Sequence, residues 1–347
     1  MITNKKNNKS GYYEYLSEQD IYKIHLASCE ILEKTGFIVW DDEALQLLKD
    51  NGAYTDPVNE KRVRLSTSMI EKAIASAPSR IPFCNVDGSK TIQLYRDNVC
   101  YGLGTDLPVF IDPYTGEIRN TVLKDIENVA KVTQVADNID FIATLGLAND
   151  VDNQVVDLYH LKVVRSYCNK PNWLTATDYG NMRAIIDMAA VNAGGYDELK
   201  RRPTIGLYGE PVTPLTNSKE ATQKLLLCAE YGIPATWASG VIGGATGPIT
   251  LAGTLALGNA EGLSGLVMHQ LKNPGAPFIY GNVPSVMDMR TSVSCYGGPD
   301  AYGSWTIGEI LRFAKLRNRR MYGCEQFRCP GRYGIYVFRY VRSFRRN

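Results

Sequence analysis

Three acidic side chains stand where a carboxylate could do chemistry. Asp106 lies within the Gly/Asp-rich hairpin segment CYGLGTDLPVFIDPYTGEIR, Glu210 ends the β-rich run TIGLYGE, and Glu261 lies inside the apolar helical segment GTLALGNAEGLSGLVMHQL. A carboxylate at a strand end can offset a cationic substrate or move a proton, although a cap or turn residue is the commoner explanation. Glu261 is less ordinary because an unpaired buried charge is costly, so it is either part of a buried pair or a site residue. We take all three as the candidate catalytic residues.

Aromatic side chains lie close to the ends of the same β-rich runs and just beyond the last of them. The candidates are Trp173, Tyr208, Trp237, Tyr280 and Tyr296. Aromatic faces attract a quaternary ammonium, which has no N–H group to donate to an ordinary acceptor. The alternative is core packing, the usual role of large aromatic side chains. The five residues are the predicted substrate-binding set.

A glycine-rich string, GVIGGATGPITLAG at residues 240–253, allows two interpretations. It could bind an anion through free backbone N–H groups at a helix N-terminus. It could also be a tight strand-to-helix turn with a proline near the helix start. The string matches neither the GxGxxG fingerprint nor the P-loop pattern, whose lysine is missing, so the plain turn is favoured.

Alternating strands and helices from about residue 98 onward must position these candidates. The β-rich runs are 140–146, 171–178, 204–210, 233–240 and 276–282. Alternation at this interval predicts an α/β fold with parallel strands, either a doubly wound sheet or a TIM (β/α)8 barrel. Candidate residues spread over several strand ends favour the barrel.

The remaining organisation is simpler. Residues 1–97 form a predicted helical region, and residues 98–315 form the predicted barrel domain. In the helical region, Ser17 is the expected cap of a helix that stops at Gly36.

With 44% hydrophobic and 21% charged residues, and with neither a signal peptide nor a membrane span, the chain is expected to be cytoplasmic. Eight cysteines without CxxC spacing and three histidines predict no metal site.

Long strings of this sequence resemble the trimethylamine methyltransferase family, which includes the glycine betaine methyltransferases. They are GTDLPVFIDPYTGEIRNTVLKDI, EPVTPLTN and, most specifically, GATGPITLAGTLALGNAEGLSGLVMHQLKNPGAPFIYG. The pattern ILEKTGFIVWDDEALQLLKDNGAYTD resembles the family's opening helices. Some members carry pyrrolysine at the barrel mouth; none appears here, which favours a betaine-type substrate.

The resemblance implies a TIM barrel that binds a methylated amine, either trimethylamine or a quaternary amine such as glycine betaine. One methyl group would pass to the Co(I) form of a cobalamin carried by a cognate corrinoid protein, so this chain would bind no cobalamin itself. A non-catalytic quaternary-amine-binding protein and another barrel enzyme, such as a lyase or aldolase, remain alternatives. Nucleic acid and membranes are not expected partners, and a homo-oligomer stays open.

The C-terminal segment, residues 316–347, departs from this pattern. It holds nine Arg and one Glu, a net charge of +8, while the other 315 residues hold 29 basic and 35 acidic side chains, net −6. The family resemblance stops near residue 315, before enough strands have appeared to close an eight-stranded barrel. Residues 321–346, back-translated and read one nucleotide later, can yield a string that resembles the family's continuation. A frameshifted tail on an incomplete barrel is therefore expected, rather than a nucleic-acid-binding arm.

Overall fold

The computed structural model describes residues 2–3, 16–94, 99–295, 324–328 and 335–340. The helices in these ranges are α1 (Glu18–Glu30), α2 (Asp42–Asp50), α3 (Thr67–Ser76), α4 (Leu123–Val135), α5 (Val156–Tyr167), α6 (Tyr179–Ala193), α7 (Tyr196–Arg201), α8 (Lys219–Tyr231) and α9 (Leu251–Lys272). The strands are β1 (Ile2–Thr3), β2 (Phe37–Val39), β3 (Tyr54–Thr55), β4 (Arg62–Arg64), β5 (Ile81–Cys84), β6 (Lys90–Leu94), β7 (Val99–Leu103), β8 (Val109–Ile111), β9 (Ile118–Asn120), β10 (Asn172–Leu174), β11 (Ile205–Gly209), β12 (Thr216–Asn217), β13 (Ala235–Ser239), β14 (Ile242–Gly243), β15 (Phe278–Asn282), β16 (Ser285–Asp288), β17 (Val293–Cys295), β18 (Cys324–Arg328) and β19 (Ile335–Tyr340).

The first helix begins and ends where the sequence predicts. The Ser17 hydroxyl accepts a hydrogen bond from the backbone N–H of Asp20 at 3.2 Å, as an N-cap does. Helix α1 continues as a π-helical turn, Ile31–Thr35, and the chain leaves it at Gly36, whose φ is 71°. A Cβ at Gly36 would lie 2.2 Å from the carbonyl oxygen of Val63, so this position requires glycine.

A fully parallel sheet, in the order β10-β11-β13-β15, forms the centre of the structure. Isolated parallel bridges between Gly102 and Phe141, and between Ile142 and Asn172, continue the pairing from β10 towards β7. The α/β fold with parallel strands is therefore confirmed. The predicted run 140–146 contributes single bridges rather than a continuous strand.

The sheet has two faces that bury different side chains. The inner face carries Trp173, Tyr208 and Ile279 and packs against strands β5 and β6. The helix face carries the alternate residues of the same strands and packs against α6, α8, α9 and the N-terminal helices. Successive side chains of a strand point to opposite faces, so a shift of one residue decides which core a side chain joins.

Strand β19 pairs antiparallel with both β18 and β7, so part of the basic segment is an antiparallel hairpin at the β7 edge. The strands in the described ranges do not form a closed sheet, and the TIM barrel therefore stays a prediction. None of the helices described here combines the length and the apolar character that crossing a membrane requires.

Candidate functional site

A connected group of side chains lies on the inner face where β10 and β11 end. The Trp173 ring is fully buried, and its Nε1–H donates to the Thr236 hydroxyl at 3.0 Å. The half-buried Tyr208 ring packs against Trp173 in a T-shaped arrangement, with 4.8 Å between ring centroids. The Tyr208 hydroxyl in turn donates to Glu210 Oε2 at 2.9 Å. Of the two rings, Tyr208 is therefore the one nearer to solvent. It packs against the buried Trp173 and is hydrogen-bonded to the exposed carboxylate of Glu210.

Asp106 joins this group from the loop after β7. Its Oδ1 accepts hydrogen bonds from the Thr175 hydroxyl at 2.9 Å and from the Thr105 hydroxyl at 3.3 Å. Thr175 directly follows β10, two residues beyond Trp173, which places both on the same side of the chain. Desolvation by the surrounding protein raises the pKa of Asp106 even though its side chain remains exposed, and the two hydroxyl donors lessen that rise. Asp106 is therefore linked to the end of β10 through Thr175, and its carboxyl is partly desolvated.

Lys224 is a further charged group near Asp106 that the sequence did not single out. It lies in the middle of α8, and its ammonium group donates to the carbonyl oxygen of Ala176. Desolvation lowers the pKa of Lys224, while the negative charges of Asp157 and Asp106 oppose that change. Asp157 itself accepts the backbone N–H of Thr177 at 2.7 Å. No local pattern marks a lysine in mid-helix, because only the packing of α8 against the end of β10 brings it here.

Trp237 and Tyr280 lie on the helix face, away from Trp173 and Tyr208. The register pairs Trp237 with Tyr280, and both belong to the core formed with α9. Two glycines of α9 make room for them: a Cβ at Gly265 would lie 2.3 Å from Trp237 Cδ1, and one at Gly262 would lie 2.4 Å from Tyr280 Cε2.

The predicted five-residue aromatic set is therefore not assembled as one cage. The structure brings together Trp173 and Tyr208 and buries Trp237 and Tyr280 in the other core, because side chains alternate along each strand. Tyr296 lies outside the described residues. Proximity to a strand end alone did not distinguish the two faces.

Glu261 is also on the helix-face side and is only 1% exposed. Its Oε1 accepts the backbone N–H of Leu215 at 2.8 Å, and its Oε2 accepts the hydroxyls of Thr213, at 3.0 Å, and Ser239. Burial raises the pKa of the Glu261 carboxyl, and these three donors lessen the rise. Of the three carboxylates predicted to be catalytic, Asp106 and Glu210 lie with the inner-face group, whereas Glu261 does not.

The glycine-rich string forms a close-packed turn between β14 and α9. Thr250 is the N-cap of α9, accepting the backbone N–H of Gly253 at 3.3 Å, so Pro248 precedes the helix rather than lying in its first turn. A Cβ at Gly247 would lie 2.3 Å from Val241 Cγ1. Close packing accounts for glycine at that position.

Other side chains that could do chemistry are the cysteines and the potential metal ligands of the described residues. Five cysteines whose side chains the structure describes are free and buried, namely Cys29, Cys84, Cys100, Cys168 and Cys228. Within the same residues, no three His, Cys, Asp or Glu side chains are grouped so that they could hold a metal ion.

Sequence and structure comparisons identify the class of protein. The family model described as trimethylamine methyltransferase matches residues 2–325, and this chain belongs to that family. A trimethylamine methyltransferase of Desulfitobacterium hafniense strain DCB-2 is 32% identical over 285 residues, which cover 82% of this chain and 57% of the relative. A glycine betaine methyltransferase of Desulfitobacterium hafniense strain Y51 is 32% identical over 292 residues, covering 83% of this chain and 60% of the relative.

Two further comparisons concern a third trimethylamine methyltransferase and a solved structure. A trimethylamine methyltransferase of Methanosarcina barkeri is 31% identical over 81% of this chain. The crystal structure of MtmB in a hydroxylamine complex superimposes with a TM-score of 0.53 at 10% identity, over 90% of this chain and 68% of that one, which supports the fold alone. The chain spans 57–60% of the length of the two Desulfitobacterium relatives.

Proposed function

We propose that this chain binds a methylated amine at the inner-face group of Trp173, Tyr208, Glu210 and Asp106, as the amine-binding part of a methyltransferase. The observation that carries the proposal is the position of the Tyr208 ring between an indole and a carboxylate. Its centroid lies 4.8 Å from that of the Trp173 ring, and its hydroxyl lies 2.9 Å from Glu210 Oε2. Relatives named for trimethylamine and for glycine betaine support this substrate class.

The chemistry of the group suits a bulky cation. A methylated ammonium spreads its positive charge over methyl groups, so an aromatic face and nearby carboxylates hold it better than hydrogen-bond acceptors alone, and an aromatic face contributes about 0.5–2 kcal/mol. Glu210 and Asp106 supply negative charge on neighbouring parts of the inner face. Together they would orient the cation so that one methyl group points towards solvent.

We infer that the methyl group would be transferred to the cobalamin of a separate corrinoid protein, which would supply a strongly nucleophilic Co(I) centre. The C–N bond would break, and the amine, now one methyl group shorter, would leave with the bonding electron pair. The side chains brought together here are carboxylates, hydroxyls, a phenol and an indole. This set suits the binding of an amine cation rather than the coordination of cobalt. In this proposal the chain holds and orients the substrate, and the partner brings the methyl acceptor. Closure of the sheet into a barrel and a cytoplasmic location remain predictions.

Titration calorimetry on this chain tests the binding step. Trimethylamine and glycine betaine should bind, whereas ammonium and glycine, which lack the methyl groups, should not. Glu210→Gln should weaken methylated-amine binding about tenfold, equivalent to about 1.4 kcal/mol. Glu60→Gln, at an exposed loop position, is the matched control and should leave affinity unchanged. If neither methylated amine binds, the proposal is wrong.

Methyl transfer is tested separately, by adding a reduced corrinoid protein from the same organism and following the cobalamin absorbance. Formation of methyl-cobalamin that depends on the amine supports the full proposal. Amine binding without any such transfer would favour a non-catalytic binding protein.

A further inference from the structure

Glu261 joins the loop after β11 to the rest of the fold through one buried carboxylate. That loop, residues 210–215, begins with Glu210 of the inner-face group and leads into strand β12. Two of its residues, Thr213 and Leu215, donate to Glu261 at 3.0 and 2.8 Å. Ser239, the last residue of β13, donates to the same carboxylate. Helix α9, strand β13 and the loop therefore meet at this carboxylate.

Neighbouring contacts make the same loop rigid. Val212 and Thr216 exchange backbone hydrogen bonds at 2.7 and 3.0 Å, and the Asn217 side chain donates to the Ser264 hydroxyl of α9 at 3.2 Å. The Ser264 hydroxyl donates in turn to the backbone carbonyl of Glu261 at 2.8 Å. Strand β2 holds the end of the loop as well, because the backbone N–H groups of Ile38 and Trp40 donate to the carbonyl oxygens of Leu215 and Asn217 at 2.8 and 3.1 Å. The loop is therefore held from both β2 and α9, and Glu261 supplies the contact with α9 that lies nearest to Glu210.

We propose that Glu261 is a positioning residue, which holds the loop so that Glu210 meets the Tyr208 hydroxyl, and does not itself touch the amine. This inference rests on the proposed function, and it assigns to Glu261 a role that acts through another residue.

The donors around Glu261 show which property of the side chain matters. No Lys, Arg or His among the described residues lies within ion-pair distance of it, and the three groups that contact it are neutral. The Leu215 backbone N–H can only donate, whereas the hydroxyls of Thr213 and Ser239 can donate or accept. The site therefore requires one acceptor oxygen facing Leu215, and it does not require a negative charge.

Two variants of similar size separate these properties. In Glu261→Gln, the amide oxygen can accept from Leu215, and the amide N–H groups can donate to the two hydroxyls. In Glu261→Leu, no acceptor remains, and the buried Leu215 N–H loses its partner. A positioning role predicts that Gln rescues the function and Leu does not, whereas a role for the charge predicts that both variants fail.

Hydrogen exchange and amine binding measure the two parts of the inference. In Glu261→Leu we expect faster exchange across residues 212–215 and amine affinity lower by about tenfold, equivalent to about 1.4 kcal/mol. In Glu261→Gln both should stay close to the wild-type values. The matched control is Gln270→Leu on the same helix, which loses its contacts to Ser76, Gly275 and Ala276; it should destabilise the protein without changing the loop or the affinity.

Each outcome is decisive. Unchanged loop exchange in Glu261→Leu, equal loss of affinity in the Gln and Leu variants, or an equal loss in Gln270→Leu would overturn the positioning role. If the wild-type chain binds no methylated amine, the proposed function fails on its own, and loop exchange in the two Glu261 variants still decides whether Glu261 holds the loop.

Discussion

The inner face and the helix face of the sheet each carry one tryptophan and one tyrosine, but the exposure and packing of these rings differ between the two faces. On the inner face, Tyr208 stands half-buried above Trp173 and ends in a hydrogen bond to an exposed carboxylate. On the helix face, Trp237 and Tyr280 are packed against glycines of α9. The first arrangement leaves an aromatic surface near solvent, while the second uses the rings as core. Residue type alone therefore does not identify a site; the direction of the side chain does.

The largest expected effect is on the helix face. Trp237→Ala should lower the free energy of unfolding by about 3–5 kcal/mol, because it empties a fully buried position. Urea denaturation followed by circular dichroism measures this loss. Val191→Ala, at a position that is 81% exposed, is the control and should change stability little. A small loss for Trp237→Ala would mean that this core is not packed as described.

The fit between α9 and the sheet gives the next prediction. In Gly265→Ala, the new Cβ would lie 2.3–2.6 Å from three atoms of the Trp237 indole, so we expect a loss of about 1–3 kcal/mol from overpacking. Gly240→Ala, whose Cβ would meet nothing within 4 Å, is the matched control. Equal stability of the two variants in urea would contradict the close contact between Gly265 and Trp237.

How far the sequence could predict this molecule depends on the element. Ser17 and Gly36 are correct as helix start and stop because capping is local chemistry. The parallel sheet is also correct, since alternation of strands and helices limits the topology. The face of each strand was not predictable, because an error of one residue in a strand boundary exchanges the faces. Lys224 was missed, and Glu261 was left between two roles, because both depend on contacts between segments distant in sequence.

A smaller effect, on amine binding, is expected on the inner face. Because desolvation raises the pKa of Asp106, its carboxyl is protonated at higher pH than usual and attracts a cation only when ionised. Affinity for glycine betaine should therefore rise as the pH rises through the pKa of Asp106, and Asp106→Asn should remove this rise. Calorimetric titrations at several pH values provide the comparison. The same pH dependence in wild type and variant would exclude Asp106 from the site.

The smallest effect concerns the buried carboxyl of Glu261. Unlike that of Asp106, its titration should change the stability of the fold and not the affinity for the amine. Burial raises its pKa above the usual 4.5, so between these two pKa values the folded state binds more protons than the unfolded state. Stability must then fall as the pH rises through that window and level off above it. Glu261→Gln has no proton to bind there and should lack this fall, although its hydrogen bonds persist. Urea midpoints of both proteins from acid to neutral pH test the sign, and a wild-type stability that rises relative to the variant across the window would show that the hydrogen-bond donors outweigh burial at Glu261.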